Sequence, residues 1–82
     1  MLPDMPKLNV ISARKMMKIL NLLGFELLRT KGSHNFFCNQ KTCRTTVIPM
    51  YGNEDLSAGL LKEILKDIEL TVDDYEKLRR KV

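Results

Sequence analysis

The residues best suited to chemistry in this chain stand together as Lys31-Gly32-Ser33-His34. His34 is the sole histidine among 82 residues. Histidine changes protonation near neutral pH, so an imidazole can take a proton from a hydroxyl and return one. Gly32 permits a tight turn whose backbone amides can approach a phosphate. Lys31 adds positive charge and Ser33 a hydroxyl. Such a turn suits proton abstraction from a ribose hydroxyl. A surface histidine at a hairpin turn would look the same, and these four residues alone favour that plainer reading.

The remaining candidates are weaker. Cys38 and Cys43 flank a second hairpin closely enough to face each other. Zinc would need four ligands, and two cysteines with one histidine do not supply them. A cross-strand disulfide is geometrically conceivable, but two reduced cysteines acting as small hydrophobes are the better reading. No phosphate-binding G-x-x-x-x-G-K loop, histidine-rich metal motif or nucleophile elbow is present. The pairs Glu54-Asp55 and Asp73-Asp74 are adjacent in sequence, and capping or solvation explains them better than metal binding. Neither metal nor cofactor is expected. Arg14, Lys15 and Lys18 could follow a phosphate backbone, or could equally be the solvated face of an amphipathic helix.

The elements that must position these residues follow from periodicity and caps. Ser12 is placed to cap a helix over Ala13 to Leu23, with Gly24 as its C′ residue. Ala13, Met16, Met17, Leu20 and Leu23 share one arc of it, with Arg14, Lys15 and Lys18 opposite and Leu22 a misfit on the polar side. Strands are expected over Phe25 to Lys31, His34 to Asn39 and Arg44 to Met50, with Pro49 marking a strand end or edge. Short connections make the three an antiparallel meander. Leu27-Leu28 and Phe36-Phe37 break the alternation, leaving open which residues face away from the core. Ser57 caps a second helix, along which Leu60, Leu61, Ile64, Leu65 and Ile68 form a continuous apolar arc. Thr71 with Asp74 resembles a capping box for a short last helix carrying Val72, Tyr75 and Leu78. Two apolar helix faces against three strands predict an α+β fold of two layers, α-β-β-β-α, with a short C-terminal helix. Met1 to Val10, with Pro3 and Pro6, reads as a leader, and residues 11–82 as a single domain.

Composition sets the partner class. At 44% hydrophobic and 29% charged, the chain is too apolar for a disordered one. Its apolar runs are too short to span a membrane, its N-terminal stretch lacks the apolar core of a signal peptide, and two cysteines suit a reducing, cytoplasmic setting. Residues 1–53 carry eight Lys/Arg against two acids, a balance of +6, whereas residues 54–82 carry six against eight, a balance of −2. The basic part favours an anionic partner, nucleic acid before others.

A longer pattern runs through these pieces. Gly24-Phe25-Glu26 leads to Arg29-x-Lys31-Gly32-Ser33-His34-x-x-Phe37, then Arg44-Thr45-Thr46-Val47 with Pro49 nearby. Gly52-Asn53, Asp55-Leu56, Gly59-x-Leu61-x-x-Ile64-Leu65 and Leu70-Thr71-Val72-x-x-Tyr75 follow. From about Ile11 to Leu78 the chain resembles HicA, the toxin of the HicAB toxin–antitoxin systems, also called the YcfA-like family. Two departures stand out. Tyr51 occupies a position where many members carry histidine, and the hairpin from Asn39 to Cys43 lacks the common His-Pro-Asp-Gly-like turn.

The resemblance implies a domain similar to double-stranded-RNA-binding domains that acts as an mRNA interferase. The family's catalytic histidine falls on His34. With Arg29, Lys31, Gly32 and Ser33 beside it and Arg14, Lys15 and Lys18 along the first helix, RNA would be held and cut without a metal. The implied partners are mRNA and a HicB-type antitoxin, the chain being a monomer alone and a hetero-oligomer with that antitoxin. The alternative is a non-catalytic RNA-binding module of the same fold. A pure protein-interaction subunit is a third reading.

Overall fold

A computed structural model describes residues 8–82 of the chain. The elements in order are α1 (Ala13–Leu22), β1 (Glu26–Lys31), β2 (His34–Asn39), β3 (Arg44–Pro49), α2 (Ala58–Asp67) and α3 (Val72–Arg79). The strands form one antiparallel meander in the order β1-β2-β3. This is the expected α+β layering, similar to a double-stranded-RNA-binding domain, with the sheet as one layer and the helices as the other. Boundaries differ by one residue at three points: Leu23 is a cap of α1, Phe25 precedes β1, and Met50 follows β3.

The caps lie where the side chains predicted them. Ser12 accepts a hydrogen bond from the Lys15 amide, Ser57 from that of Leu60, and Thr71 from that of Asp74. Each satisfies one of the amides a helix start leaves free. Gly24 closes α1 at φ +92°, a left-handed conformation that side chains disfavour. The chain turns there into β1.

Met16, Ile19, Leu20, Ile48, Leu61, Ile64 and Tyr75 are fully buried at the centre of the core. Ile19 falls outside the arc drawn from the α1 sequence, and Met17 is only half-buried. The buried arc is therefore rotated slightly toward Ile19. Leu22 is exposed, as its place on the polar side suggests. The Tyr75 hydroxyl donates to the Asn9 carbonyl at 2.5 Å, and Asn9 Nδ2 donates to Glu76. Leu8 packs on the core. Residues 8–10 are thus tied down. The rest of the expected leader lies outside the described residues.

Helices α1 and α2 pack over β3, and α3 packs against α1. β1 is consequently exposed along its whole length. Among the described residues no helix is long and apolar enough to cross a membrane.

Candidate active site

Strand alternation fixes the setting of His34. On β2, Asn35, Phe37 and Asn39 are buried toward the helices. His34, Phe36 and Cys38 therefore point to the opposite, open face of the sheet. Register places Lys31 and Pro49 on either side of His34, Arg29 and Val47 on either side of Phe36, and Glu26 and Thr45 on either side of Cys38. The doubled leucines that obscured this pattern are resolved by a bulge: Leu27 pairs with Phe37 and Arg29 with Phe36, leaving Leu28 as the extra residue. Phe36 and Phe37 simply take opposite faces.

Gly32 and Ser33 form the two-residue turn between β1 and β2. Gly32 has φ +59° with open space where a Cβ would stand. A positive φ at the first of two turn residues is the position such hairpins fill with glycine. The Ser33 carbonyl accepts from the Met50 amide at 2.8 Å, so the turn is also stitched to the end of β3. Beneath it, on the helix side, Thr30 Oγ1 donates to Asn35 Oδ1 at 2.9 Å and Asn35 Nδ2 donates to the Ile48 carbonyl at 3.1 Å. Asn35 thereby ties β1 to β3 directly behind His34. The imidazole itself is exposed.

Lys31 and Arg29 thus share a face with His34, and Arg29 lies over the Phe36 ring with its guanidinium carbon 4.8 Å from the centroid. The α1 cations occupy the other layer. Arg14 and Lys15 sit at the helix start, and Arg14 lines a recess with Ser12, Met50, Gly52 and Asn53. Because Met50 is bonded to Ser33, the α1 start and the His34 turn lie at the same end of the molecule. Ser12 bridges to Asp55 there, just before α2 begins. Lys18 lies one helical turn farther along α1. The seven expected RNA-binding residues therefore divide into two sets: Arg29, Lys31, Gly32 and Ser33 on the sheet side, and Arg14, Lys15 and Lys18 on the helix side. Tyr51 is exposed just past β3.

Cys38 and Cys43 are both free thiols. Among the described residues no three His, Cys, Asp or Glu side chains converge as a metal site. Sequence reasoning did not single out Asn35 or Phe36. An asparagine inside a strand is disfavoured there unless its amide is used, and that was the available signal for Asn35.

A family model of the HicA toxin of bacterial toxin–antitoxin systems matches residues 13–70. The chain belongs to the HicA toxin family. The HicA match starts with α1 and ends just past α2, so it contains the whole sheet and the His34 turn. Membership makes the chain the toxin of a toxin–antitoxin pair and implies an antitoxin partner. No curated protein matches the chain.

Proposed function

We propose that this HicA-family chain is an mRNA interferase that cuts RNA with His34 and is neutralised by a HicB-type antitoxin. The observation that carries the reading is the placement of the only imidazole on the open sheet face, opposite Lys31 and one same-face row from Arg29, which pairs with Phe36. His34 takes the proton from a ribose 2′-hydroxyl. The 2′-oxygen forms a bond to the adjacent phosphorus, and the bond from phosphorus to the 5′-oxygen breaks. The products are a 2′,3′-cyclic phosphate and, after protonation of the departing oxygen, a 5′-hydroxyl. Lys31, Arg29 and the amides around Gly32-Ser33 offset the charge that builds on the phosphoryl oxygens. Arg14, Lys15 and Lys18 extend positive charge around the same end onto the helix layer, where they follow the backbone of the RNA. The scheme uses only an imidazole and cations, so it needs no metal.

Induced expression tests the reading. Growth should stop and mRNA should fragment, and co-expression of a cognate HicB-type antitoxin should reverse both. Purified chain should yield cyclic-phosphate ends in the presence of EDTA. Intact RNA bound without cleavage would instead make the chain a binding module, and strict dependence on a divalent ion would overturn the base-catalysed scheme.

A further inference from the structure

We infer that the Arg29–Phe36 pair is a stacking shelf that seats one unpaired base of the RNA beside His34. This rests on the RNA-cleaving reading and adds how the substrate is held. All three helices lie on the other side of the sheet, so the face bearing this pair is open. The Arg29 guanidinium rests on the Phe36 ring, with its carbon 4.8 Å from the ring centroid. Phe36 is half-buried between Arg29 and Val47, which holds the shelf in place, while Arg29 above it is exposed. A guanidinium plane backed by an aromatic ring offers a flat, cationic surface to a base.

Position makes this shelf relevant to the reaction. Phe36 and His34 are two residues apart on the same face of β2, about 6.6 Å along the strand. A base seated at the first brings its own sugar and phosphate toward the second. The next row reverses the charge. Glu26 lies beside Cys38 and Thr45 and repels a continuing phosphate chain, so the strip is limited to the row of Lys31 and His34 and the row of Arg29 and Phe36. Bases inside a duplex are stacked on one another and cannot reach such a shelf. The occupant is therefore a single-stranded segment, read by stacking.

The test uses the full chain carrying His34→Ala, so that bound RNA survives. The probes are a labelled short single-stranded oligoadenylate, its duplex with oligouridylate, and an abasic oligoribonucleotide of equal length. Single strand should bind more tightly than duplex. Phe36→Leu should weaken oligoadenylate binding at least about fivefold, the effect of losing one stacked base, and leave abasic binding unchanged. Phe36→Tyr should keep the affinity. Arg29→Lys, an exposed change that keeps the charge and removes the plane, should also weaken oligoadenylate selectively.

Equal losses on both single-stranded probes, no loss, or a preference for duplex would overturn the shelf while leaving RNA binding in place. No binding of any probe by the His34→Ala chain would overturn the RNA reading itself. If Phe36→Leu spares RNA binding but abolishes self-association or antitoxin binding, the face is a protein interface and the inference fails.

Discussion

The two hairpin turns of this sheet are built in opposite ways. At the β1–β2 turn, Gly32 and Ser33 reverse the chain through a positive φ and one backbone hydrogen bond to Met50. The side chains above the sheet stay exposed. At the β2–β3 turn, the side chains of Asn39, Thr42, Arg44 and Thr46 are all committed to bonds within the domain. Asn39 Oδ1 accepts from the Lys41 and Thr42 amides, and its Nδ2 donates to the Leu23 carbonyl. Thr42 Oγ1 accepts from the Arg44 amide. Arg44 reaches the Asp67 carbonyl and the Glu69 carboxylate, and Thr46 Oγ1 donates to Asp67. One turn holds the end of the domain together; the other leaves its side chains free for a ligand. In this sheet, the proposed chemistry falls at the turn whose own residues make fewer bonds.

The largest effect that would break this contrast is at His34. His34→Ala should lower RNA cleavage by about 10²–10⁴-fold, the usual contribution of a general base, with an unchanged melting temperature. Cleavage assays beside calorimetry check both halves. A normal rate would remove the chemistry from this turn.

Asn39→Ala should do the converse. Leaving the turn amides and the Leu23 carbonyl without partners should cost about 2 kcal/mol, lowering Tm by about 8–16 °C, while activity per folded molecule persists. Chemical denaturation read beside cleavage separates the two. A loss of activity larger than the loss of folded protein would mean the two turns are not independent.

The backbone conformations sharpen the comparison further. Gly32 at φ +59° and Cys43 at φ +62° occupy the left-handed region in the two turns. Gly32→Ala should cost about 1 kcal/mol through backbone strain alone, since no atom crowds the added Cβ. Cys43→Asn should gain about 0.5 kcal/mol, because asparagine tolerates this conformation better. Urea midpoints would show both. A destabilising Cys43→Asn would mean the thiol supports the turn in some further way.

How much of this was legible in the sequence depends on the range of the interactions. Ser12, Ser57 and Thr71 announced the helices because a cap is settled within three residues. The Lys31–His34 turn was legible for the same reason. Which face His34 occupies was not, because Phe36-Phe37 leaves the alternation of β2 ambiguous in sequence, and the face of Arg29 and Lys31 on β1 depends on a bulge at Leu28 that no local pattern signals. The inward-facing Asn35 and Asn39 were missed because their partners, Ile48 and Leu23, are distant in sequence. Ile19 was missed because its burial depends on how α1 is rotated over the sheet. The α1 cations and the Arg29–Lys31 pair looked like one basic group in sequence, and the two-layer fold separates them.

The smallest expected effect lies outside both turns. Burial, with Glu76 beside it, pushes the Tyr75 hydroxyl up to about 12. The fold therefore favours the protonated phenol. Its contribution is complete below about pH 10, the ordinary tyrosine value, and is lost as pH rises toward 12. Tyr75→Phe should flatten that alkaline decline and leave both hairpins unchanged, as melting temperatures across the alkaline range would show. An unaltered decline would mean that another group titrates there.

The extra residue at Leu28 also bears on how these molecules meet one another. β1 bonds to β2 along one side only, and its Leu27 and Leu28 are both exposed. A straight edge of that kind invites a strand from a second molecule, then a third, and so on into a fibril. The bulge breaks the spacing of free amides and carbonyls partway along, so an incoming strand aligned at Glu26 and Leu27 falls out of step by Arg29. Arg29 and Lys31 then set like charges against each other in any stack of identical copies. An irregularity that weakens the ladder slightly thus works against aggregation, and the exposed leucines remain available at the edge without turning it into a template.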